Sequence, residues 1–423
     1  MDFRRINGLP PYVFTIINDL KIQLRHEGAD IIDLGFGNPD LPSPDIAVDK
    51  LCEAARNPRN HRYSSSRGLP ALRRNMAALY KSRFGVELDP DTQIINTIGA
   101  KEGFSHLMWV LLQPGDTCLV PTPSYPIHIY GPLFAGAQIR EVPLADGDEF
   151  VNRMQLTWHY SRPKPRVAVI SFPHNPTTTC VDLDFMQKVV DWARDRQMLI
   201  VHDNAYADLG FDGYQPPSIL QVEGAKECAV EFYSCTKSFS MAGWRMAFML
   251  GNAEVVAALA KLKSYLDYGS FQPIQIAAAV TLKEQPAYPL EACAVYERRR
   301  DALCDGLNRI GWEVEPPKGT MFVWARIPEP YRHMDSIEFA SKLVREAHVA
   351  VSPGVGFGPG GEGHVRFALI ENRQRINQGI RNLRRCLPDL EPRAEPAAEA
   401  GEPEPEAEAA AAGREPAGKA TAA

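Results

Sequence analysis

The sequence predicts an α/β fold, in which a large domain built on a mostly parallel seven-stranded sheet between helices is joined to a smaller α+β domain. Three observations carry this reading. The chain's 423 residues exceed the size at which one hydrophobic core keeps growing, so two units are expected. Between residues 91 and 250, seven short β-rich runs alternate with helical patterns; near-continuous apolar runs separated by helices indicate buried parallel strands with crossover helices. After Gln272 and Pro273, a long helical stretch leads to a second set of strands and helices.

In order, the seven runs are TQIINTI (92–98), TCLV (117–120), QIREV (138–142), RVAVIS (166–171), MLIVH (198–202), AVEFYS (229–234) and MAFML (246–250). The second set comprises MFVWARI (321–327), a helix over 336–347, HVAVSP (348–353) and HVRFALI (364–370), with a closing helix before Pro388. The expected division is an N-terminal arm (1–44) packing on the small domain, a large domain (45–285), a small domain (286–390) and a tail (391–423). The tail is almost entirely Ala, Glu, Pro and Gly, which cannot bury enough apolar area to offset chain entropy. It is expected to be disordered, either as an inert extension or as a partner-binding segment.

Composition excludes several classes. Hydrophobic residues make up 45% and charged residues 23%, ordinary values for a globular chain, and no apolar run reaches the roughly 18 to 20 residues needed to span a bilayer. The first 14 residues carry Arg4 and Arg5, then Pro10 and Pro11, without an apolar core or small-residue cleavage site, so cytoplasmic residence is expected. Eight scattered cysteines without a CxxC pair argue against a disulfide framework and a zinc ribbon, and no metal is expected. A net charge of −6 gives no basic surface for nucleic acid.

The segment Ser234-Cys-Thr-Lys237-Ser-Phe-Ser240-Met-Ala-Gly243-Trp-Arg245 follows a predicted strand. It offers an amine, hydroxyl donors and, eight positions after the lysine, a guanidinium suited to a phosphate dianion. Upstream, Val201-His202-Asp203-Asn204-Ala205-Tyr206 ends a strand on a carboxylate; taken alone, Asp203 reads more readily as a helix N-cap, and only Lys237, 34 positions downstream, turns that reading. Thr97-Ile98-Gly99-Ala100-Lys101 places a glycine turn between strand and helix, where free N–H groups and the helix dipole face an anion. Asn175-Pro176 is by itself a turn signal.

The lysine segment matches the signature of the class I (fold type I) pyridoxal-phosphate aminotransferases at each constrained position. Further matches in the same order cover nearly all of the chain except the tail, and within the family the likeness is greatest to the bacterial glutamate–pyruvate (alanine) aminotransferases. The resemblance implies pyridoxal 5'-phosphate as cofactor, carried on Lys237, with Asp203 facing the protonated pyridine nitrogen. It implies Tyr206 and Asn175 at the phenolic oxygen, and Arg245, Ser234 and the backbone amides of Ala100 and Lys101 at the phosphate. The side chain of Lys101 is read as a solvated first-turn residue. Tyr125 would stack on the ring, and Tyr63 would reach the phosphate of a neighbouring subunit, which requires a homodimer. Arg366 would fork the substrate α-carboxylate, and the amide of Gly37 would close over it, beside Asn175.

The implied activity is transfer of an amino group between an L-amino acid and a 2-oxo acid by a ping-pong cycle, with Lys237 as base. Alanine, pyruvate, glutamate and 2-oxoglutarate are the expected substrates; aspartate, methionine and aromatic amino acids, or a lyase or cyclopropane-forming synthase of the superfamily, are the alternatives. A non-catalytic protein retaining the fold would have no need of Lys237, Asp203 and Arg245 together. Specificity is expected to rest on Phe36, Tyr125, Tyr268 and Met321, and no second arginine is assigned to a dicarboxylate side chain. Gly356-Phe-Gly358-Pro-Gly360-Gly361 fits GxGxxG but leads into an apolar strand, so the dinucleotide mechanism fails and a flexible loop beside Arg366 is expected.

Overall fold

The computed structural model describes residue 9 and residues 13–391; the start of the arm and the tail from residue 392 onward lie outside the described residues. Twelve strands form among these: β1 Ile32–Asp33, β2 Ile94–Ile98, β3 Thr117–Thr122, β4 Gln138–Pro143, β5 Val167–Ile170, β6 Leu199–Asn204, β7 Ala229–Ser234, β8 Met246–Gly251, β9 Phe322–Arg326, β10 Val349–Ala350, β11 Ser352–Pro353 and β12 His364–Ala368. The seven runs from 92 to 250 become β2 to β8 in one sheet, ordered β2-β8-β7-β6-β5-β3-β4. All pairings are parallel except those of β8, which is antiparallel to both neighbours. The fold class is therefore the expected one.

Successive residues of a strand face opposite sides, and both sides here are covered. On β5, Ala168 and Ile170 pack into one core with Leu119, Ile200 and the helix residues Met186 and Val190. Val167 and Val169 pack into another with Val201, Val230, Phe104 and Leu107. The crossover helices bring the matching stripe. In Leu183–Asp195, Phe185, Met186, Val189, Val190 and Ala193 are buried at helical spacing, and Asp182 caps the N-terminus by accepting the Phe185 N–H at 2.9 Å.

A third core gathers Ile31, Ile32 and Leu34 with Leu303, Trp312, Phe322, Phe339, Val365 and Phe367. Here β9, β12 and β11 form an antiparallel sheet, while β1 pairs in parallel with β10. The expected helix over 336–347 is helical in Ser336–Lys342 and closes in a π turn at Leu343–Ala347. The glycine-rich segment differs from expectation: it forms two 3-10 turns, Gly354–Phe357 and Pro359–Gly361, with Gly354, Phe357 and Gly361 buried. Side chains would not fit, because a Cβ on Gly354 would overlap the Gly361 carbonyl.

This topology positions the site. The C-terminal ends of β2, β3, β5, β6 and β7 fall on one edge of the sheet, and the strand edge of the third core lies against it. Ligands of such sheets bind beyond the carboxyl ends of the strands.

Candidate active site

A cavity of about 310 Å³ opens at that edge, lined by residues at the strand ends of the large sheet and by residues of the third core such as Phe322. It brings together Gly37, Ala100, Lys101, Tyr125, Asn175, Asp203, Tyr206, Ser234, Lys237, Arg245 and Arg366. These are all the residues expected at the cofactor or the substrate α-carboxylate but one: Tyr63 is 85% exposed, with its ring 4.5 Å from that of Tyr268, and it does not line the cavity.

Lys237 sits in the short helix Cys235–Ser238 that follows β7, where Ser234 accepts the Thr236 N–H at 3.2 Å. Its Nζ donates to the Gly37 carbonyl at 2.5 Å. Burial first, and then the cationic Arg366 and Arg245, push its pKa down to about 7. The sign of the resulting linkage is fixed. Between about 7 and the 10.5 of an ordinary lysine the unfolded chain binds more protons, so the stability of the cofactor-free protein gains a contribution that rises with pH across that window. Urea unfolding at either end of the window should show a steeper rise for wild type than for Lys237→Met; equal slopes would contradict the assignment.

Asp203 ends β6. Its Oδ2 lies 2.8 Å from Nε2 of His128, whose Nδ1 lies 3.0 Å from Ser124 Oγ. Its Oδ1 is buried and has no hydrogen-bond partner among the described residues, which leaves an acceptor available to a donor in the cavity. Asn175 donates from Nδ2 to the Tyr206 hydroxyl at 3.3 Å, and burial holds the Tyr206 phenol well above its ordinary pKa. The Tyr125 ring lies edge-on to His128 at 5.8 Å, with the Lys101 ammonium 5.9 Å from its centroid.

Gly99 is left-handed (φ +81°), and a Cβ there would overlap the Arg245 guanidinium; Arg245 itself has φ +55°. The turn thus presents the first amides of the helix Ala100–Leu111 beside a cation, an arrangement suited to an anion. Arg366 is buried between two aromatic rings, 3.8 Å from the centroid of Phe322 and 4.6 Å from that of Phe357. It donates to Asn175 Oδ1 at 2.7 Å, the Gly35 carbonyl at 3.3 Å and Ser352 Oγ at 3.4 Å. A Cβ on Gly37 would lie 2.7 Å from Phe322, so a larger residue would displace that ring from Arg366.

A model of the aminotransferases of class I and II matches residues 29–382. The chain belongs to this family. It is 53% identical over 382 residues to the glutamate-pyruvate aminotransferase AlaC of Escherichia coli (strain K12), covering 90% of this chain and 93% of that one. It is 41% identical over 380 residues to an LL-diaminopimelate aminotransferase of Dehalococcoides mccartyi, covering 90% and 97% respectively. Among solved structures, substrate-bound BacF of Bacillus subtilis superposes with a TM-score of 0.83 at 34% identity, over 91% of this chain and 97% of that one.

Family membership makes this a pyridoxal-phosphate aminotransferase acting on amino acids and 2-oxo acids. The residues present fit that cofactor: an amine held at low pKa, a buried carboxylate oxygen awaiting a donor, and a glycine turn packed against an arginine. No helix among the described residues is long and apolar enough to cross a membrane.

Two specificity expectations are corrected. Met321 is fully buried in the third core, and the cavity is met instead by its neighbour Phe322. The Tyr268 ring lies 4.5 Å from that of Tyr63, tilted by 36°, and does not line the cavity, whereas Phe36 and Tyr125 do. Sequence reasoning missed His128, Ser352, Phe322 and Phe357. Only for His128 was there a signal, its helical spacing of three from Tyr125.

Proposed function

We propose that this chain transfers the amino group of L-alanine to 2-oxoglutarate, giving pyruvate and L-glutamate, as a cytoplasmic homodimer. The observation that carries the substrate assignment is the 53% identity to a glutamate-pyruvate aminotransferase over nine-tenths of the chain. The compact cavity, walled by Phe36, Tyr125 and Phe322 around Arg366, suits a small α-side chain. The dimer reading rests on the exposed Tyr63, Tyr265 and Tyr268, aromatic surface of the kind that marks an interface. The three cores support a division into a large domain (45–285) and a small domain (286–390) with the arm packed on the latter.

Bound pyridoxal phosphate supplies the carbonyl that accepts the amino group and an electron sink for the α-carbon. In our reading Lys237 carries it, with Arg245, Ser234 and the amides of Ala100 and Lys101 at its phosphate, Tyr125 over its ring, and Tyr206 with Asn175 at its phenolic oxygen. Tyr63 serves the phosphate site of the second subunit. Asp203, fixed by His128, holds a positive charge at the pyridine nitrogen. Arg366 grips the α-carboxylate with Asn175 and the Gly37 amide, orienting the Cα–H bond toward Lys237. The Lys237 amine, with its pKa lowered to about 7 by burial and the cationic Arg366 and Arg245, is in part neutral near neutral pH and would take that proton.

The test is kcat/KM with 2-oxoglutarate for a panel of amino acids. Alanine should exceed aspartate, methionine, phenylalanine and LL-diaminopimelate by at least about tenfold, roughly the discrimination one pocket supplies. A higher value for any of these would overturn the alanine assignment while leaving the family untouched.

A further inference from the structure

Lys263 is fully buried, a rare state for a lysine. It lies on the helix Ala253–Leu266, and its Nζ donates to Glu102 Oε1 at 3.0 Å and to Asp267 Oδ2 at 2.9 Å. Glu102 is the third residue of the helix Ala100–Leu111. Its other oxygen, Oε2, accepts the backbone N–H of Ile98 at 2.8 Å, so the carboxylate braces the turn Ile98-Gly99-Ala100 that faces Arg245. His106 Nδ1 lies 2.7 Å from the same Oε1. The hydrogen bonds and cations around Glu102 outweigh its burial and hold its pKa below the ordinary carboxylate value.

The arrangement poses an electrostatic problem. The glutamate that shapes the turn is negative, and it stands within one helical turn of the amides read above as phosphate ligands. Glu102, His106 and Asp267 form a cluster of possible metal ligands, but Lys263 reaches two of the three and supplies the positive charge there.

We propose that Lys263 is a positioning residue for the cofactor phosphate: its ammonium, shared with Asp267, offsets the charge of Glu102, so that this glutamate can brace the anion-binding turn with less repulsion of the dianion. This rests on the reading of Gly99–Lys101 as the phosphate turn. Removing Lys263 unmasks a negative charge near the phosphate. Removing the Glu102 charge while keeping its acceptor leaves the turn braced and the neighbourhood more positive.

Because the two changes have opposite electrostatic signs, they separate this role from a structural one. Apo-enzyme would be titrated with pyridoxal phosphate and, in parallel, with pyridoxal, which lacks the phosphate. Lys263→Met should weaken pyridoxal phosphate binding, and Glu102→Gln should tighten it, each by about five- to tenfold, the size expected when one unit charge acts on a dianion through partly screened medium. Pyridoxal affinity should stay nearly constant in both.

Weaker binding in both variants, or no change in either, would overturn the proposal, since loss of a structural bridge acts in the same direction from either partner. If Lys263→Met does not fold, the direction of change in Glu102→Gln decides alone. Failure of wild-type apo-enzyme to bind pyridoxal phosphate would instead remove the underlying site reading and the proposal with it.

Discussion

Replacing Lys237 with alanine is expected to lower kcat by about 10⁴-fold or more, because one substitution removes both the amine that carries the cofactor and the base that moves the α-proton. The geometry makes the loss hard to compensate. Lys237 is the lysine whose Nζ reaches the Gly37 carbonyl across the cavity, while the Lys101 ammonium is 5.9 Å from the Tyr125 centroid. Borohydride reduction of cofactor-loaded protein followed by peptide mapping should label the peptide containing Lys237 in wild type and leave the variant unlabelled. A label on another lysine, or near-normal kcat in the variant, would refute the assignment.

Arg366→Ala should lower kcat/KM for alanine by about 10²- to 10³-fold, the usual consequence of removing one partner from a buried charge-assisted pair. The effect should fall chiefly on amino-acid KM. The pH profile should shift upward as well, since Arg366 is one of the two cations that hold the Lys237 pKa down. Arg366→Lys should recover little: a lysine keeps the charge, but loses the fork and the planar surface held between Phe322 and Phe357. Equal losses on an amine lacking a carboxylate would show that the arginine acts through the fold and not on the substrate.

How much of this was legible in the sequence depends on the range of the interaction. The sheet was readable because most of its strands are buried apolar runs, and the segments carrying Lys237 and Gly99 each state their chemistry within a dozen residues, whereas Asp203 gained its meaning only from Lys237 downstream. Contacts between remote segments were not. His128 and Asp203 are 75 positions apart, and Lys263 and Glu102 are 161 apart; nothing local marks either as a pair. Ser352 meets Arg366 only through the β11–β12 register.

The Met321 error has a specific cause. Neighbouring side chains entering a strand point to opposite faces, so a reading displaced by one residue exchanges cavity for core, and here Phe322 took the place assigned to Met321. The glycine-rich segment 356–361 lies beside Arg366 as expected, through Phe357, but as two 3-10 turns rather than an open loop. Its glycines permit close backbone packing, as between Gly354 and Gly361, as readily as they permit motion.

The central claim is amino transfer with the nitrogen retained on the enzyme. The most direct test mixes cofactor-loaded enzyme with excess L-alanine in the absence of any oxo acid and measures pyruvate and ammonia. Transfer predicts a burst of pyruvate equal to the number of active sites, no ammonia, and renewed turnover only when 2-oxoglutarate is added. Absence of the pyruvate burst from L-alanine would contradict the account, and continued formation of pyruvate with equal ammonia from L-serine, whose β-hydroxyl can leave, would place the chain among the lyases.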